Sequence, residues 1–267
     1  MSQLTAGTLL RCPRCRAHLE HDPAGLRCSG AHVFAVREGV PDLVAAGDED
    51  GTWSVWREHL EAFQRRRDHR VREPEAVSSR LRTRPGLQGS FRRFIRLAGT
   101  TVLDVGCGPG RFREHLGDRV RYVGVDPIPL LPDVLDFEFA RAVSEVLPFA
   151  DGSFSDVVIL NALDHVNDVD ASLAEIRRTL VPGGRLHVLQ TVLDRGDLLR
   201  RLAHEVKDFL EDRRDPHRGD ETPHHMTEFT SSSLRASVAR ALPIVREGYV
   251  ATSAFAPRRL MLTAQKA

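Results

Sequence analysis

Hydrophobic residues along this chain fall into two kinds of pattern. Short continuous apolar runs occupy residues 101–105, 121–125 and 156–160, each ending at glycine, aspartate or asparagine. Such runs, rich in β-branched residues, predict strands. Other stretches repeat at helical spacing. Trp53, Trp56, Leu60 and Phe63 stand at i, i+3, i+7 and i+10, and Leu198, Leu199, Leu202, Val206, Phe209 and Leu210 form a second stripe. Each predicts a helix with one packed face; the first, which holds both tryptophans, reads either as a helix packed on the main domain or as a lid whose aromatics touch substrate. A further helix is expected over residues 111–116. Residues 242–250 and 260–263 read as two strands that close the sheet as an antiparallel pair. Strands alternating with helices predict an α/β fold.

Punctuation divides the chain. Residues 33–36 read as a short strand before the turn Gly39-Val40-Pro41-Asp42-Leu43, and the polar run Gly47-Asp48-Glu49-Asp50-Gly51 suits a linker. Pro85-Gly86 ends the next stretch, and Phe91, Phe94, Ile95 and Leu97 open the last. The expected units are 1–46, a small N-terminal segment; 47–88, a helical linker or lid; and 89–267, the main domain. The longest apolar stretches, such as residues 157–160, fall far below the roughly 18 residues of a membrane span. No basic segment precedes an apolar run at the N-terminus, so the reading is a cytoplasmic chain without a secretory signal.

Composition narrows this further. With 267 residues, 41% hydrophobic and a net charge of +1, the chain suits one large domain with a small appendage and excludes a disordered class. Only Lys207 and Lys266 among 38 basic residues are lysine. Arginine is the better fork for phosphate, but the balanced total charge points to genomic bias. A local excess remains: residues 57–96 hold twelve arginines and five acids, a net +7, with Arg65-Arg66-Arg67 the densest part. That stretch reads as a solvated helix face, or as a surface for an anionic acceptor or RNA.

Three of the four cysteines cluster as Cys12-x2-Cys15-x12-Cys28, and His32 follows with three residues between. A two-residue gap lets one tight turn present two ligands to one ion, so Cys12, Cys15, Cys28 and His32 predict a structural zinc ribbon with four protein ligands. His18 and His21 compete for the fourth place but lack the paired spacing. A segment of this size needs the metal to supply folding energy.

The strand at residues 101–105 runs into Gly106-Cys107-Gly108-Pro109-Gly110. Glycines let a backbone approach a bound nucleoside closely. The dinucleotide fingerprint would place its third glycine at position 111, where this chain has Arg111. Asp104, two residues before Gly106, would repel a pyrophosphate and suits a cationic or amino group. The second strand ends at Asp126, twenty residues beyond Gly106, where a carboxylate can accept both ribose hydroxyls.

At this point the chain resembles the class I S-adenosylmethionine-dependent methyltransferases. The resemblance rests on Asp104-Val105-Gly106-Cys107-Gly108-Pro109-Gly110, Asp126, Leu147-Pro148-Phe149-Ala150-Asp151-Gly152-Ser153-Phe154, Asp156-Val157-Val158-Ile159 and Leu180-Val181-Pro182-Gly183-Gly184, and covers about residues 90–190. It implies a Rossmann-like seven-stranded methyltransferase sheet and S-adenosylmethionine as cofactor. Asp104, Gly106, Cys107, Gly108 and Gly110 would serve the methionine part, Asp126 and Pro127 the ribose, Ser144 and Glu145 the adenine border, and Asn161 the cofactor or acceptor. Cys107 reads as a small side chain, not a nucleophile. The chain departs from the family where an acid often binds the adenine amino group: that position is Val143. Pro127-Ile128-Pro129 also stiffens the turn after Asp126.

A zinc knuckle before such a domain resembles the large-subunit ribosomal RNA guanine-N1 methyltransferases, and also many bacterial small-molecule methyltransferases. The stretches Asn161-Ala162-Leu163-Asp164-His165-Val166 and Pro223-His224-His225-Met226-Thr227-Glu228-Phe229-Thr230 resemble methyltransferases of sugar, polysaccharide and natural-product pathways. The expected activity is therefore O- or N-methylation of a small acceptor, sugar-containing or a secondary metabolite, with an anionic acceptor in view. The alternatives are a ribosomal or transfer RNA methyltransferase gripping phosphates through the ribbon, and a non-catalytic nucleoside-binding protein. Transfer to a hydroxyl or ammonium needs a base near neutrality, and His165, His225 and His224 are the candidates. Adjacent His224 and His225 face opposite sides of an extended chain, so at most one enters the site. A catalytic metal held with His217 is disfavoured, because Asp215, Asp220 and Glu221 fit an ordinary polar loop.

Overall fold

The computed structural model describes residues 9–44, 86–128, 136–194, 226–251 and 258–267. The tryptophan helix, the arginine-rich stretch up to residue 85, the stripe at 198–210, and His217, His224 and His225 lie outside them.

Seven strands form the central sheet. In chain order they are β6 (Thr101–Val105), β7 (Arg121–Asp126), β8 (Glu138–Arg141), β9 (Phe154–Leu160), β10 (Leu180–Val192), β11 (Ile244–Val250) and β12 (Arg258–Gln265), arranged β11-β12-β10-β9-β6-β7-β8. Strands β6 to β10 are mutually parallel, and β12 enters antiparallel between β10 and β11. The strand pair expected at the C-terminus is thus present, with β12 longer than residues 260–263.

Period-2 alternation sends neighbouring side chains into different layers. Leu103, Val105, Val157 and Ile159 join the larger core; Val102 and Val158 join the other, with Phe91, Phe94 and Phe112. Helix α1 (Leu87–Phe94) brings Phe91 and Phe94, and the expected boundary at residue 88 falls inside it. Helix α2 (Val169–Thr179) starts where Asp168 accepts the Ala171 N–H at 2.9 Å and buries Leu173 and Ile176. Helix α3 (Ser231–Ala241) starts at a capping box between Thr230 and Ser233. The helix expected at 111–116 is a 3-10 turn, Arg111–His115, entered through left-handed Gly110.

Buried polar groups pin the sheet's lower end. Asp156, fully buried in β9, accepts from Ala98 N, Gly99 N, the Ser155 hydroxyl and a ring N–H on His187 Nε2. His187 Nδ1 lies 3.0 Å from Thr263 Oγ1 on β12, so one polar chain ties three strands.

The N-terminal segment folds as strands β1 (Leu19–Asp22), β2 (Gly25–Cys28) and β3 (Val33–Phe34), plus the hairpin β4 (Val36–Arg37) and β5 (Val40–Pro41). The strand expected at 33–36 is therefore two pieces in two sheets. The segment is not a separate globule. Leu10, Leu19, Leu26, Phe34 and Leu43 share the larger core with Leu147 and Phe149. No helix among the described residues is long and apolar enough to cross a membrane.

Candidate cofactor crevice and metal site

The candidate crevice lies at the carboxyl ends of β6, β7 and β9, where open α/β sheets bind ligands. Gly106, Gly108 and Gly110 all adopt left-handed backbone, with φ of 68°, 50° and 67°. A Cβ on Gly106 would stand 2.4 Å from Ala162 Cβ, and one on Gly110 would meet the Phe137 ring at 2.4 Å. At Gly108 nothing lies within 4 Å, so the loop presents an open cradle there. Gly108→Ala is expected to fold, at a cost of about 1 kcal/mol for its backbone, and to weaken cofactor binding at least about tenfold by filling that space. Gly106→Ala is expected not to fold. Thermal melting and calorimetry with S-adenosylhomocysteine check the pair; full affinity in Gly108→Ala would remove the cradle.

Asp126 ends β7 nearly buried. Its Oδ2 accepts the Gly108 N–H at 2.8 Å and its Oδ1 the Ile128 N–H at 2.9 Å, which aims the carboxylate at the mouth of the loop. Pro127 contributes a carbonyl, which accepts from Arg141 Nε at 2.7 Å. Cys107 packs its sulfur into the space a Cβ on Gly124 would need, so it serves as a small filler.

Asp104 lies beneath the loop, and Tyr122 Oη donates to its Oδ2 at 2.6 Å. Burial pushes its carboxyl up to about 7; the Tyr122 hydroxyl opposes the rise and the charge of Asp126 adds to it. Sequence reasoning missed Tyr122, although it stands in the second strand. Ser144 and Glu145 form a buried turn whose side chains face inward. The Ser144 hydroxyl bonds Ser172, and Glu145 Oε1 accepts the Asn167 and Asp168 N–H groups. Any contact from this turn to an adenine therefore comes from its backbone. Asn161, left-handed at φ 48°, clips β9 to β10 by accepting from Thr191 N and Thr191 Oγ1.

His165 sits in the 3-10 turn Leu163–His165, its side chain 35% exposed, with Nε2 3.9 Å from Asp164 Oδ1. The Asp164 carbonyl accepts the Met226 and Thr227 N–H groups, so these residues dock against the His165 turn. Gln190 is a second residue the sequence did not single out. It lies one step past the level where β9 ends, buried, and among the described residues neither its amide nitrogen nor its oxygen has a hydrogen-bond partner.

In the N-terminal segment Cys12, Cys15, Cys28 and His32 place their ligand atoms within 4.8 Å of one another. Cys15 and Cys28 Sγ are 3.5 Å apart; His32 Nδ1 is 3.5 Å from Cys12 Sγ and 3.3 Å from Cys28 Sγ. A tetrahedral zinc site has edges of roughly 3.5–3.8 Å from its usual bond lengths, so the four residues fit the ion. His18 instead has its Nδ1 3.1 Å from Arg11 Nη1. Burial pushes the Cys12 thiol up to about 11. Cys28 is drawn down to about 6, against its burial, by the His32 backbone and its sulfur neighbours. Purified protein is expected to carry about one zinc per chain and Cys28→Ser to carry none, with a clear drop in melting temperature. Elemental analysis decides this, and metal-free protein melting like the loaded form would refute it.

Fold and site together define the class: an α/β protein with the fold of the S-adenosylmethionine-dependent methyltransferases and a small cysteine–histidine ribbon. Residues 103–188 match the family model described as a methyltransferase domain. The chain is similar to the ubiquinone/menaquinone biosynthesis C-methyltransferase UbiE of Hahella chejuensis, 37% identical over 35% of this chain and 43% of that protein. An uncharacterized methyltransferase of Mycobacterium bovis is 30% identical over 54% of this chain and 65% of its own. The chain thus spans from under half to about two thirds of the curated relatives it matches. Among solved structures, the 1,6-didemethyltoxoflavin-N1-methyltransferase of Burkholderia thailandensis, with bound 1,6-didemethyltoxoflavin and S-adenosylhomocysteine, shares the fold. Its TM-score is 0.53 at 18% identity, over 79% of this chain and 90% of that one.

Proposed function

We propose that the protein is an S-adenosylmethionine-dependent methyltransferase acting on a small molecule, by O- or N-methylation of a sugar-containing or secondary metabolite. The observation that carries this reading is the left-handed glycine loop with its open cradle at Gly108, capped by Asp126. When bound, the cofactor supplies an electrophilic methyl carbon on a sulfonium. Gly106, Gly108 and Gly110 let it lie against the backbone. Asp104 would offer its carboxylate to the amino end, Asp126 would take the ribose hydroxyls, and the Ser144–Val146 turn would border the adenine. Asn161 and His165 stand on the acceptor side. His165, one-third exposed, would take the proton the acceptor loses as the acceptor–carbon bond forms and the sulfonium–carbon bond breaks, S-adenosylhomocysteine being the leaving group. The names of the UbiE relative and of the toxoflavin-precursor enzyme support a small acceptor over RNA. Cys12, Cys15 and Cys28 are in no disulfide, which suits a reducing compartment such as the cytoplasm.

Calorimetry with S-adenosylmethionine and S-adenosylhomocysteine tests the premise, with micromolar affinity expected. No binding at millimolar cofactor would end the reading. Methylation of ribosomal RNA, with binding that falls steeply with salt, would replace the small acceptor by RNA. Tight cofactor binding without turnover on any acceptor would leave a nucleoside-binding protein.

A further inference from the structure

The ribbon holds both ends of one short segment of the methyltransferase domain. That segment, residues 142–146, runs from the end of β8 through the turn assigned to the adenine. At its near end Asp42 forms a parallel bridge with Arg141, and Leu43 N donates to the Arg141 carbonyl at 2.8 Å. Arg141 Nη1 donates to Asp42 Oδ2 at 2.8 Å while its Nε holds the Pro127 carbonyl, next to Asp126. At its far end Leu10 bridges Phe149, with Arg11 N donating to Pro148 O and Ala150 N to Leu9 O. Arg16 then reaches Glu175 of α2 with both guanidinium nitrogens, at 2.8 and 2.7 Å, and also bonds the Leu147 carbonyl. Glu175 accepts the Leu147 N–H as well. A shallow cleft of about 300 Å³ follows this seam, lined by residues that include Arg14, Phe34, Val44 and Arg141.

The metal turn sits inside these contacts. Arg11 immediately precedes Cys12, and Arg16 immediately follows Cys15 in left-handed backbone at φ 64°. Arg16 N donates to the Cys12 carbonyl, so the ligand turn itself sets where Arg16 points.

We propose that the ribbon is a metal-tightened clamp on residues 142–146, that Arg16 and Asp42 are its positioning residues, and that zinc and cofactor binding are therefore linked. The proposal rests on the cofactor reading above. Linkage is reciprocal: whatever factor zinc adds to cofactor affinity, cofactor adds to zinc affinity.

The test uses the full-length zinc-loaded chain. Affinity for S-adenosylhomocysteine is measured by calorimetry, and zinc affinity by chelator competition with and without S-adenosylhomocysteine. Wild-type protein is expected to hold zinc about tenfold more tightly with the nucleoside bound. Arg16→Gln and Asp42→Asn should keep their zinc, bind S-adenosylhomocysteine about tenfold more weakly, and together abolish the linkage. Arg16→Lys should restore part of it. Arg27→Gln breaks an ion pair within the ribbon, to Asp22, away from the seam, and should leave the affinity unchanged. Wild-type protein that binds no nucleoside would overturn the cofactor reading and the clamp with it. Wild type that binds, with zinc affinity indifferent to nucleoside or with both variants at full affinity, would overturn the clamp alone.

Discussion

Asp126→Ala is expected to weaken S-adenosylhomocysteine binding about a hundredfold, the largest loss from any single change in the crevice. Each hydrogen bond to a charged group contributes about 1.5–3 kcal/mol, and on the proposed reading the variant would lose both ribose contacts. It also frees the Gly108 and Ile128 N–H groups that now bond the carboxylate, so the loop loses the anchor that orients its cradle. Asp126→Asn keeps an acceptor oxygen and should lose less. Calorimetry measures both, with melting curves to separate affinity from folding. A change below about threefold in Asp126→Ala would take the ribose away from this residue.

The largest effect on stability is expected at Asp156. Four donors converge on this buried carboxylate, from Ala98, Gly99, Ser155 and His187. Asp156→Ala leaves these neutral donors buried without an acceptor, and each buried polar group left unsatisfied costs about 1–3 kcal/mol, so the loss should reach several kcal/mol. Urea unfolding near neutral pH gives the number; a loss below about 1 kcal/mol would contradict the account. The pH dependence follows from the same network. Burial holds His187 below its ordinary 6.5, against the pull of Asp156. The His187, Ala98, Ser155 and Gly99 hydrogen bonds hold Asp156 below 3.8 despite its burial. Both folded values are depressed, so the unfolded chain binds the extra protons. The His187 contribution is full above about pH 6.5 and fades as pH falls below it; that of Asp156 fades only below about pH 3.8.

How much of this was legible depended on range. The glycine loop, the strand-end Asp126 and the cysteine–histidine cluster were readable because each is a local device. A left-handed turn, a strand-end carboxylate or a two-residue ligand gap needs only neighbours in sequence. The 3-10 turn at Arg111–His115 was misread as a helix because its apolar spacing is compatible with either, and the loop geometry at Gly110 decides. Ser144 and Glu145 fall in a short turn after β8, and their side chains turn toward α2. Their partners, Ser172, Asn167 and Asp168, lie more than twenty residues away and leave no local mark. The same holds for Tyr122 under Asp104.

The sequence by itself determined the class of fold, the left-handed glycine loop and the grouping of three cysteines with His32, since each rests on side-chain type at short spacing. Only the tertiary structure decided that the ribbon is part of the main domain's core. Arg16 meets Glu175 and Asp42 meets Arg141 across 159 and 99 residues. Nothing in the spacing of such residues announces the contact, because chain folding, not sequence distance, brings opposite charges and apolar surfaces together.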